Sequence, residues 1–273
     1  MADKTKIDWC DASWNPVTGC WHGCDYCYAR RMVTRFRQEV YCCPMATIHY
    51  RDLEHTEIET VKLDAPCKNW KGEALPYPYG FIPTYHRYRL DIPKRWTRPR
   101  TIFVCSMADL FGDWVPEEWI REIIASCQAA PQHRYLFLTK NPRRYVELIR
   151  HDVLPTNGNY WYGSTTARAD DKAFYCRRNA LADEKYCKTF LSIEPILERF
   201  GKGSEGGSVA MTDWVIVGAE SGTRKGKVIP EKEWIMELAE ECDKRGKPIF
   251  MKGSLREIMG DDFRQEFPWE AKA

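Results

Sequence analysis

The chain has 273 residues, of which 44% are hydrophobic, so it can bury a substantial core and does not belong to the disordered class of proteins. Its formal net charge is only +2, which argues against a histone-like polycation but leaves room for a local basic patch. No apolar run approaches the roughly 18–20 residues that a membrane helix needs. The polar N-terminus lacks the apolar centre of a signal peptide, and we therefore expect a cytoplasmic protein with no membrane partner.

Segments of strand type alternate with segments of helix type along the chain, which predicts parallel strands joined by crossover helices. The predicted strands are 12–17, 101–105, 134–139, 160–164, 189–193, 214–218 and 248–251. The predicted helices are 28–38, 116–129, 143–150, 169–181 and 231–245. We expect one α/β domain over residues 1–273. It is predicted to be a partial or full (β/α) barrel, with an open doubly wound sheet as the alternative.

Two segments do not follow this alternation. Residues 41–100 are rich in Pro and Tyr and are predicted to form an irregular insertion. Residues 201–209, which are rich in Gly and Ser, are predicted to form a flexible loop.

Polar residues follow five of the predicted strands at the points where the strands end. They are Ser106 and Asp109; Thr139, Lys140 and Asn141; Ser164, Thr165 and Thr166; Ser192 and Glu194; and Glu220 and Ser221. In barrels the functional groups lie on loops at the carboxyl ends of the strands. This pattern therefore favours one shared site at that end of the barrel.

Three of the 12 cysteines, Cys20, Cys24 and Cys27, are spaced as C-x3-C-x2-C after the first predicted strand. In a reducing cytoplasm such residues are thiols or metal ligands rather than disulfides. Three thiolates on a short loop can bind three corners of an iron–sulfur cube and leave the fourth iron open to a small molecule. Gly19 and Gly23 would let the loop turn tightly around such a cluster.

The motif, with an aromatic residue at Tyr26, resembles that of the radical S-adenosylmethionine superfamily, whose members share C-x3-C-x-aromatic-C after the first strand of a partial barrel. The resemblance implies that Cys20, Cys24 and Cys27 hold a [4Fe–4S] cluster and that S-adenosylmethionine chelates the fourth iron. An electron from an external donor would then release a 5′-deoxyadenosyl radical, which abstracts hydrogen from a substrate. The resemblance assigns no catalytic side chain.

A narrower resemblance covers most of the chain. Trp14-Asn-Pro-Val-Thr-Gly-Cys20, Ser106-Met-Ala-Asp-Leu-Phe111, Leu138-Thr-Lys-Asn-Pro-Arg143, Ser192-Ile-Glu-Pro195 and Trp214-Val-Ile-Val-Gly-Ala-Glu-Ser-Gly222 are similar to segments of a phage-associated family of three-cysteine proteins. The function of that family is largely unassigned, so the resemblance strengthens the prediction of cofactor and fold and leaves the substrate open.

The superfamily resemblance also implies which residues contact the cofactor. Ser106 and Asp109 would hold the methionine amino group, because a carboxylate accepts charge-assisted hydrogen bonds from an ammonium. Ser164 and Thr166 would bind the ribose or the carboxylate, and Tyr26 would lie near the adenine. Glu194 and Glu220 would bind ribose hydroxyls, a cationic group or substrate. The alternatives are a turn residue at Asp109 and salt bridges from the two glutamates to Lys140 or Lys252.

The sequence also allows other kinds of metal site. A structural zinc ion needs four ligands, and His22 or Cys10 could supply the fourth beside the three cysteines. A redox dithiol at Cys24 and Cys27 would not need Cys20. Cys42, Cys43 and Cys67 could bind a second cluster with Cys10 as its fourth ligand.

A basic helix follows the cysteines and carries Arg30, Arg31, Arg35 and Arg37. Such a run is typical of a solvated surface. Together with Trp21, His22, Tyr28 and the aromatic, Arg-rich segment 77–100, it could instead contact nucleic acid. The leading hypothesis is a radical enzyme acting on a nucleic acid or nucleotide. The alternatives are a radical enzyme acting on a small metabolite or peptide, and a non-catalytic, metal-stabilised nucleic-acid-binding protein.

Overall fold

The structure is a computed structural model, and it describes residues 5–35, 39–43, 46–52, 54, 57–156, 158–169, 187–200, 209–222 and 224–270. The chain divides into two compact units. The first unit comprises Met1–Thr5 and Cys10–Tyr135, and the second comprises Lys6–Trp9 and Leu136–Ala273. The prediction of a single domain over residues 1–273 stays a prediction.

The strands are β1 Ala12–Trp14, β2 Val17–Thr18, β3 Ala46–Tyr50, β4 Ile58–Leu63, β5 Thr84–His86, β6 Thr101–Val104, β7 Arg134–Thr139, β8 Tyr160–Thr166, β9 Lys188–Ile193, β10 Trp214–Val217 and β11 Ile249–Met251. The α-helices are α1 Tyr28–Arg35, α2 Ile92–Arg95, α3 Glu117–Gln128, α4 Arg143–Arg150, α5 Lys232–Lys244 and α6 Arg256–Met259. Short 3-10 helices lie at Arg87–Arg89, Gly253–Leu255 and Gly260–Asp262. Among the described helices, none is long and apolar enough to cross a lipid bilayer.

Seven strands form one parallel sheet in the order β1-β6-β7-β8-β9-β10-β11. Strands that are neighbours in this sheet are also consecutive along the chain, except that β2 to β5 lie between β1 and β6 in the sequence. Helices α3, α4 and α5 lie in the connections between the later strands. This arrangement confirms the predicted α/β class and its partial-barrel form.

The segment 41–100 contains more regular structure than the sequence predicts. Strands β2, β5, β4 and β3 form a second sheet in that order, in which β3 and β4 are antiparallel and β4 and β5 are parallel. These strands have only two to six residues each and are separated by Pro-rich and Tyr-rich turns, so their alternation is too short to stand out in the sequence.

In the first unit the core lies between the strands and helix α3. Buried apolar residues recur along α3 at the helical spacing, and they are Trp119, Ile120, Ile123, Ile124 and Cys127. Acidic Glu117 and Glu118 occupy its first turn, where they complement the helix dipole. Cys105 and Cys127 are buried, as their apolar surroundings in the sequence predict.

In the second unit, strands β9, β10 and β11 pack one face against α5. That core includes Leu191, Val215 and Ile249 on the sheet and Leu238 and Cys242 on the helix. The opposite face of the same strands carries an aromatic cluster, in which Trp9, Phe190, Trp214, Phe250 and Phe267 are in contact.

Parts of three predicted elements fall outside the described residues. They are residues 36–38 of the basic helix, the helix 169–181 apart from Ala169, and the loop 201–209 apart from Val209.

Candidate functional site

The cysteine loop runs from Gly19, after β2, to Cys27, before α1, and its first residues are held by backbone hydrogen bonds. The Gly19 amide donates to the Met107 carbonyl at 2.9 Å, and the Cys20 amide donates to the Phe81 carbonyl at 3.1 Å. Gly19 has φ +87°, and a Cβ there would lie 2.3 Å from the Ile82 carbonyl oxygen. Only glycine fits this position, because a side chain would clash with backbone that is itself part of the loop's support.

The three cysteines of this loop are free thiols and are partly buried. The pKa of Cys20 is raised to about 12, chiefly by burial; the charges of Asp109, Cys24 and Cys27 act in the same direction, and a hydrogen bond from the His22 amide acts against them. Cys24 and Cys27 both lie near enough to Cys20 for their charges to act on its thiol. A bound metal would reverse this balance, because its positive charge favours the thiolate.

Two backbone amides point at the cysteine sulfurs. The His22 amide donates to Cys20 Sγ at 3.4 Å, and the Arg30 amide donates to Cys27 Sγ at 3.4 Å. Hydrogen bonds of this kind stabilise thiolates and tune the potential of an iron–sulfur cluster.

Three cysteines match, in number and type, the ligands of three irons in a [4Fe–4S] cluster. Each cysteine of such a cluster binds a different iron, so the three sulfurs need not surround one point. Among the residues that the structure describes, no group of three or more His, Cys, Asp or Glu side chains is arranged around a single ion. Cys20, Cys24 and Cys27 are free thiols, and backbone amides donate to the sulfurs of Cys20 and Cys27, which is the donor chemistry that an iron–sulfur cluster uses.

Asp109, one of the predicted cofactor ligands, contacts the cysteine loop. Its Oδ2 accepts a hydrogen bond from His22 Nε2 at 2.7 Å, and its Oδ1 accepts one from the Phe111 amide at 3.0 Å. The carboxylate is almost completely buried. The His22 ring also packs edge-on against Trp114, with ring centroids 4.9 Å apart. Asp109 thus anchors a loop side chain in addition to its predicted role.

Ser106, a second predicted ligand, belongs to a network centred on Asn15. Its hydroxyl donates to Asn15 Oδ1 at 3.2 Å, and the Met107 amide donates to the same oxygen at 3.0 Å. The Ser106 carbonyl accepts a hydrogen bond from the Tyr28 hydroxyl. Asn15 was not predicted as a site residue, because the predicted strand 12–17 runs past it, whereas β1 ends at Trp14 and leaves Asn15 at the strand end.

Tyr26, the predicted adenine neighbour, is partly buried within the cysteine loop. Its carbonyl accepts a hydrogen bond from Arg31 Nη2 at 3.5 Å. Together with Ser106 and Asp109, it is one of three predicted cofactor contacts that lie in the first unit.

In the second unit, strand register separates the polar residues of β8. Ser164 and Thr166 are the register partners of Leu191 and Ile193 on the neighbouring strand β9. Leu191 and Ile193 belong to the core on the α5 face of the sheet. Thr165 is level with Ser192, on the opposite face. Successive side chains alternate between faces, so a run of three polar residues cannot present all of them to one ligand.

The hydroxyls of these strands differ in their hydrogen bonding. Thr166 donates to the Arg168 carbonyl at 2.8 Å. The buried hydroxyls of Ser164 and Ser192 have no hydrogen-bond partner in the part of the chain that the structure describes.

Both glutamates at the strand ends are paired with cations; the partner of Glu194 is one of the two predicted lysines, whereas that of Glu220 is an arginine that was not predicted. Glu194 pairs with Lys252, whose chain passes over Gly218; a Cβ at Gly218 would lie 2.8 Å from Lys252 Cδ. Glu220 is 1% exposed at its side chain and receives two hydrogen bonds from Arg224, both at 2.7 Å. The predicted cofactor contacts of Glu194 and Glu220 stay predictions.

The cysteines proposed for a second cluster are arranged differently. Cys43 and Cys67 form a disulfide, and Cys42 is a free, exposed thiol paired with Lys68 across a short bridge. The Cys43–Cys67 disulfide occupies two of the three thiols that a second cluster would need.

Comparison with known proteins gives one family and two solved structures. No curated protein sequence matches the chain. Of the solved structures, a cysteine-to-serine mutant of spore photoproduct lyase is 13% identical, with a TM-score of 0.48, over 92% of this chain and 81% of that one. Spore photoproduct lyase complexed with dinucleoside spore photoproduct is 12% identical, with a TM-score of 0.49, over 87% of this chain and 75% of that one.

The family model that matches is described as a protein of unknown function, DUF5131, and it covers residues 4–257. That range includes the cysteine loop, the Asn15 network and both glutamates. The phage association predicted from the sequence stays a prediction. On this match over most of its length, the chain belongs to the DUF5131 family of proteins of unknown function.

Proposed function

We propose that this chain is a radical S-adenosylmethionine enzyme whose [4Fe–4S] cluster is held by Cys20, Cys24 and Cys27. The observation that carries the proposal is the cysteine loop itself: three free thiols, of which Cys24 and Cys27 lie near enough to Cys20 for their charges to act on it, with backbone amides donating to two of the sulfurs. The C-x3-C-x2-C spacing and the parallel α/β sheet support it.

When bound, the cluster and S-adenosylmethionine supply one-electron reductive cleavage and, through it, hydrogen-atom abstraction from a substrate. The chain's own residues shape and hold the loop. Gly19 allows its close passage along Ile82, Asp109 fixes the His22 side chain, and Asn15 fixes the turn at Ser106. We propose that Tyr26, Ser106 and Asp109 also line the cofactor site of this unit.

In the second unit, Ser164, Thr166, Glu194 and Glu220 are the proposed contacts to polar groups of the cofactor or substrate. The ion pairs of Glu194 with Lys252 and of Glu220 with Arg224 hold both carboxylates in fixed positions. A fixed carboxylate can accept hydrogen bonds from hydroxyls without further ordering, which lowers the entropic cost of binding.

The substrate we propose is a nucleic acid or nucleotide, and the electron donor is an external reductant. The arginines of α1 beside the cysteine loop support this substrate class. A radical enzyme acting on a small metabolite or peptide is the second candidate. A metal-stabilised nucleic-acid-binding protein without turnover is the third.

The test begins with anaerobic reconstitution, followed by absorption spectroscopy near 400 nm and measurement of iron and sulfide. We expect about four irons per chain in the parent protein and much less after Cys20→Ser, Cys24→Ser or Cys27→Ser. Cys42→Ser is the matched control, because Cys42 is also a free thiol of the first unit. Its iron content should equal that of the parent.

The second measurement is incubation with S-adenosylmethionine and dithionite, followed by mass analysis for 5′-deoxyadenosine. The proposal predicts this product in the parent and in Cys42→Ser, and its loss in the three loop variants. A colourless protein with one zinc per chain that the same three variants lose would overturn the proposal in favour of a structural zinc site.

A further inference from the structure

Helix α1 begins directly after Cys27 and buries only one narrow stripe. Ala29 and Val33, four residues apart, are buried and pack with Met107. Tyr28, Met32 and Arg35 lie on another stripe at the spacing i, i+4 and i+7, and all three are exposed. The exposed stripe of an ordinary amphipathic helix is polar throughout, whereas this one mixes arginine with apolar side chains.

Helix α1 carries a positive charge. The helix contains Arg30, Arg31 and Arg35 and no Asp or Glu. Within the described ranges, neither Arg30 nor Arg35 forms an ion pair with a carboxylate. On other helices arginines pair one turn apart, as Arg121 does with Glu117 and Arg245 with Glu241, each at 2.6 Å.

Two side chains of this helix are fixed in orientation. The Tyr28 ring is 42% exposed, while its hydroxyl is anchored on the Ser106 carbonyl. The Arg30 guanidinium lies over the Phe81 ring, 4.9 Å from its centroid, and donates to the Cys20 carbonyl at 3.3 Å. Fixed aromatic and guanidinium planes bind a flat ligand at a low cost in side-chain entropy.

The aromatic character continues into the cysteine loop. Trp21 directly follows Cys20, and the Cys20 carbonyl accepts the hydrogen bond from Arg30. The Trp21 indole donates to the Glu59 carbonyl at 3.0 Å. The Arg51 guanidinium lies 4.6 Å from the Trp21 ring centroid. Cations and aromatic rings thus alternate from α1 to the loop that carries the three cysteines.

We propose that the α1 surface, defined as Tyr28, Arg30, Met32 and Arg35, binds a single-stranded nucleic acid. Phosphates lie on Arg30 and Arg35, which lack carboxylate partners among the described residues, and a base stacks on Tyr28. The alternation of anion-binding groups with an exposed aromatic plane matches a strand whose phosphates alternate with bases. This inference rests on the substrate class given under the proposed function and names the surface that recognises it.

The experiment measures fluorescence anisotropy of an end-labelled, mixed-sequence single-stranded DNA with the full chain, without S-adenosylmethionine, at several salt concentrations. Arg30→Ala/Arg35→Ala should weaken binding about tenfold and lower the salt slope by roughly 1 to 2. Arg121→Ala/Arg245→Ala changes the net charge equally and should bind as the parent does. Tyr28→Leu should weaken binding about tenfold without changing the salt slope. Thermal melting of each variant confirms folding.

Three results would overturn the inference. They are absence of binding by the parent chain, equal losses in the two double-arginine variants, and a Tyr28→Leu variant that binds as the parent does. The last result would identify a general anion-binding surface, which dextran sulfate would also occupy.

Failure of this inference differs from failure of the proposed function. Nucleic-acid binding is measured without S-adenosylmethionine, and it depends on α1 alone. A chain that cleaves S-adenosylmethionine but binds no DNA through α1 keeps the enzyme class and loses this surface. A chain that binds DNA through α1 but holds no cluster keeps this surface and loses the enzyme class.

Discussion

Asp109 accepts a hydrogen bond from His22 across 2.7 Å, and the two residues are 87 positions apart in the sequence. His22 lies between the first and second cysteines of the loop, and its own amide donates to Cys20 Sγ. The buried carboxylate thus connects the end of strand β6 to the part of the loop that would carry the cluster. Four predictions follow from this and related contacts.

The first prediction concerns the His22–Asp109 contact. Asp109→Ala and His22→Ala should each lower the free energy of unfolding of the metal-free chain by about 1–3 kcal/mol, because each removes a hydrogen bond to a buried carboxylate. Both should also reduce iron uptake during reconstitution. The double variant should be less destabilised than the sum of the single variants, with a coupling of about 0.5–3 kcal/mol in denaturant titrations.

The control for this prediction is Asp91→Asn. Asp91 is exposed and its ion pair with Arg95 is long, at 3.9 Å, so the free energy of unfolding should change by less than about 0.5 kcal/mol. Strictly additive effects at His22 and Asp109, with parental iron uptake, would show that the contact does not support the loop.

The second prediction compares two glycines of the cysteine loop. Gly19 and Gly23 both have positive φ, at +87° and +71°. A Cβ at Gly19 would meet the Ile82 carbonyl oxygen at 2.3 Å, whereas a Cβ at Gly23 would meet no atom within 4 Å. Gly23→Ala should therefore cost only the backbone strain of about 1–2 kcal/mol, and Gly19→Ala should cost clearly more.

Thermal melting and iron content after reconstitution measure this difference. Gly23→Ala should retain much of the cluster, and Gly19→Ala should lose it. Equal behaviour of the two variants would show that the approach to Ile82 is not what restricts position 19.

The third prediction concerns the pH dependence of Cys20 in the metal-free chain. Burial disfavours the charged thiolate and is the chief cause of a pKa raised to about 12, with Asp109 acting in the same direction. The thiol is therefore protonated at neutral pH, and its rate of alkylation should increase about tenfold per pH unit up to this pKa. Mass analysis of iodoacetamide-treated protein follows the rate at Cys20 alone.

Asp109→Asn provides the internal check, because it removes a negative charge that raises the pKa of Cys20. Alkylation of Cys20 at a fixed pH should be faster in this variant. A rate that levels off near the ordinary thiol range in the parent would contradict the assigned burial. Since metal binding requires the thiolate, reconstitution should also release protons and improve as the pH rises.

The fourth prediction concerns the polar residues of the second unit. Ser192→Ala removes a buried hydroxyl that has no partner within the described segments, so the melting temperature should stay the same or rise. Glu220→Gln should lower it, because Arg224 loses a buried carboxylate partner.

Binding of S-adenosylmethionine separates a structural role from a functional one at these positions. A Ser192→Ala variant that melts normally but binds the cofactor more weakly would identify the hydroxyl as a ligand contact. For Glu194→Gln, normal rates of both S-adenosylmethionine cleavage and product formation would remove Glu194 from the site.

The sequence alone was sufficient for features that depend on neighbours along the chain. The predicted strand 134–139 and helix 143–150 match the structure at both ends, because hydrophobic periodicity within each segment reflects its local backbone. The spacing of Cys20, Cys24 and Cys27 is likewise local, because all three lie on the single loop between β2 and α1.

Contacts between distant residues were decided by the tertiary structure. Asp109 was predicted as a cofactor ligand, but its contact with His22 depends on how the end of β6 meets the cysteine loop. The separation of Ser164 from Thr165 depends on strand register, since a shift of one residue reverses the face of every side chain. Lys140 and Lys252 each follow a strand two places from β9 in the sheet, so strand order alone does not choose between them, and the structure pairs Glu194 with Lys252. Local sequence determines the conformation of a segment, whereas long-range packing determines which side chains meet.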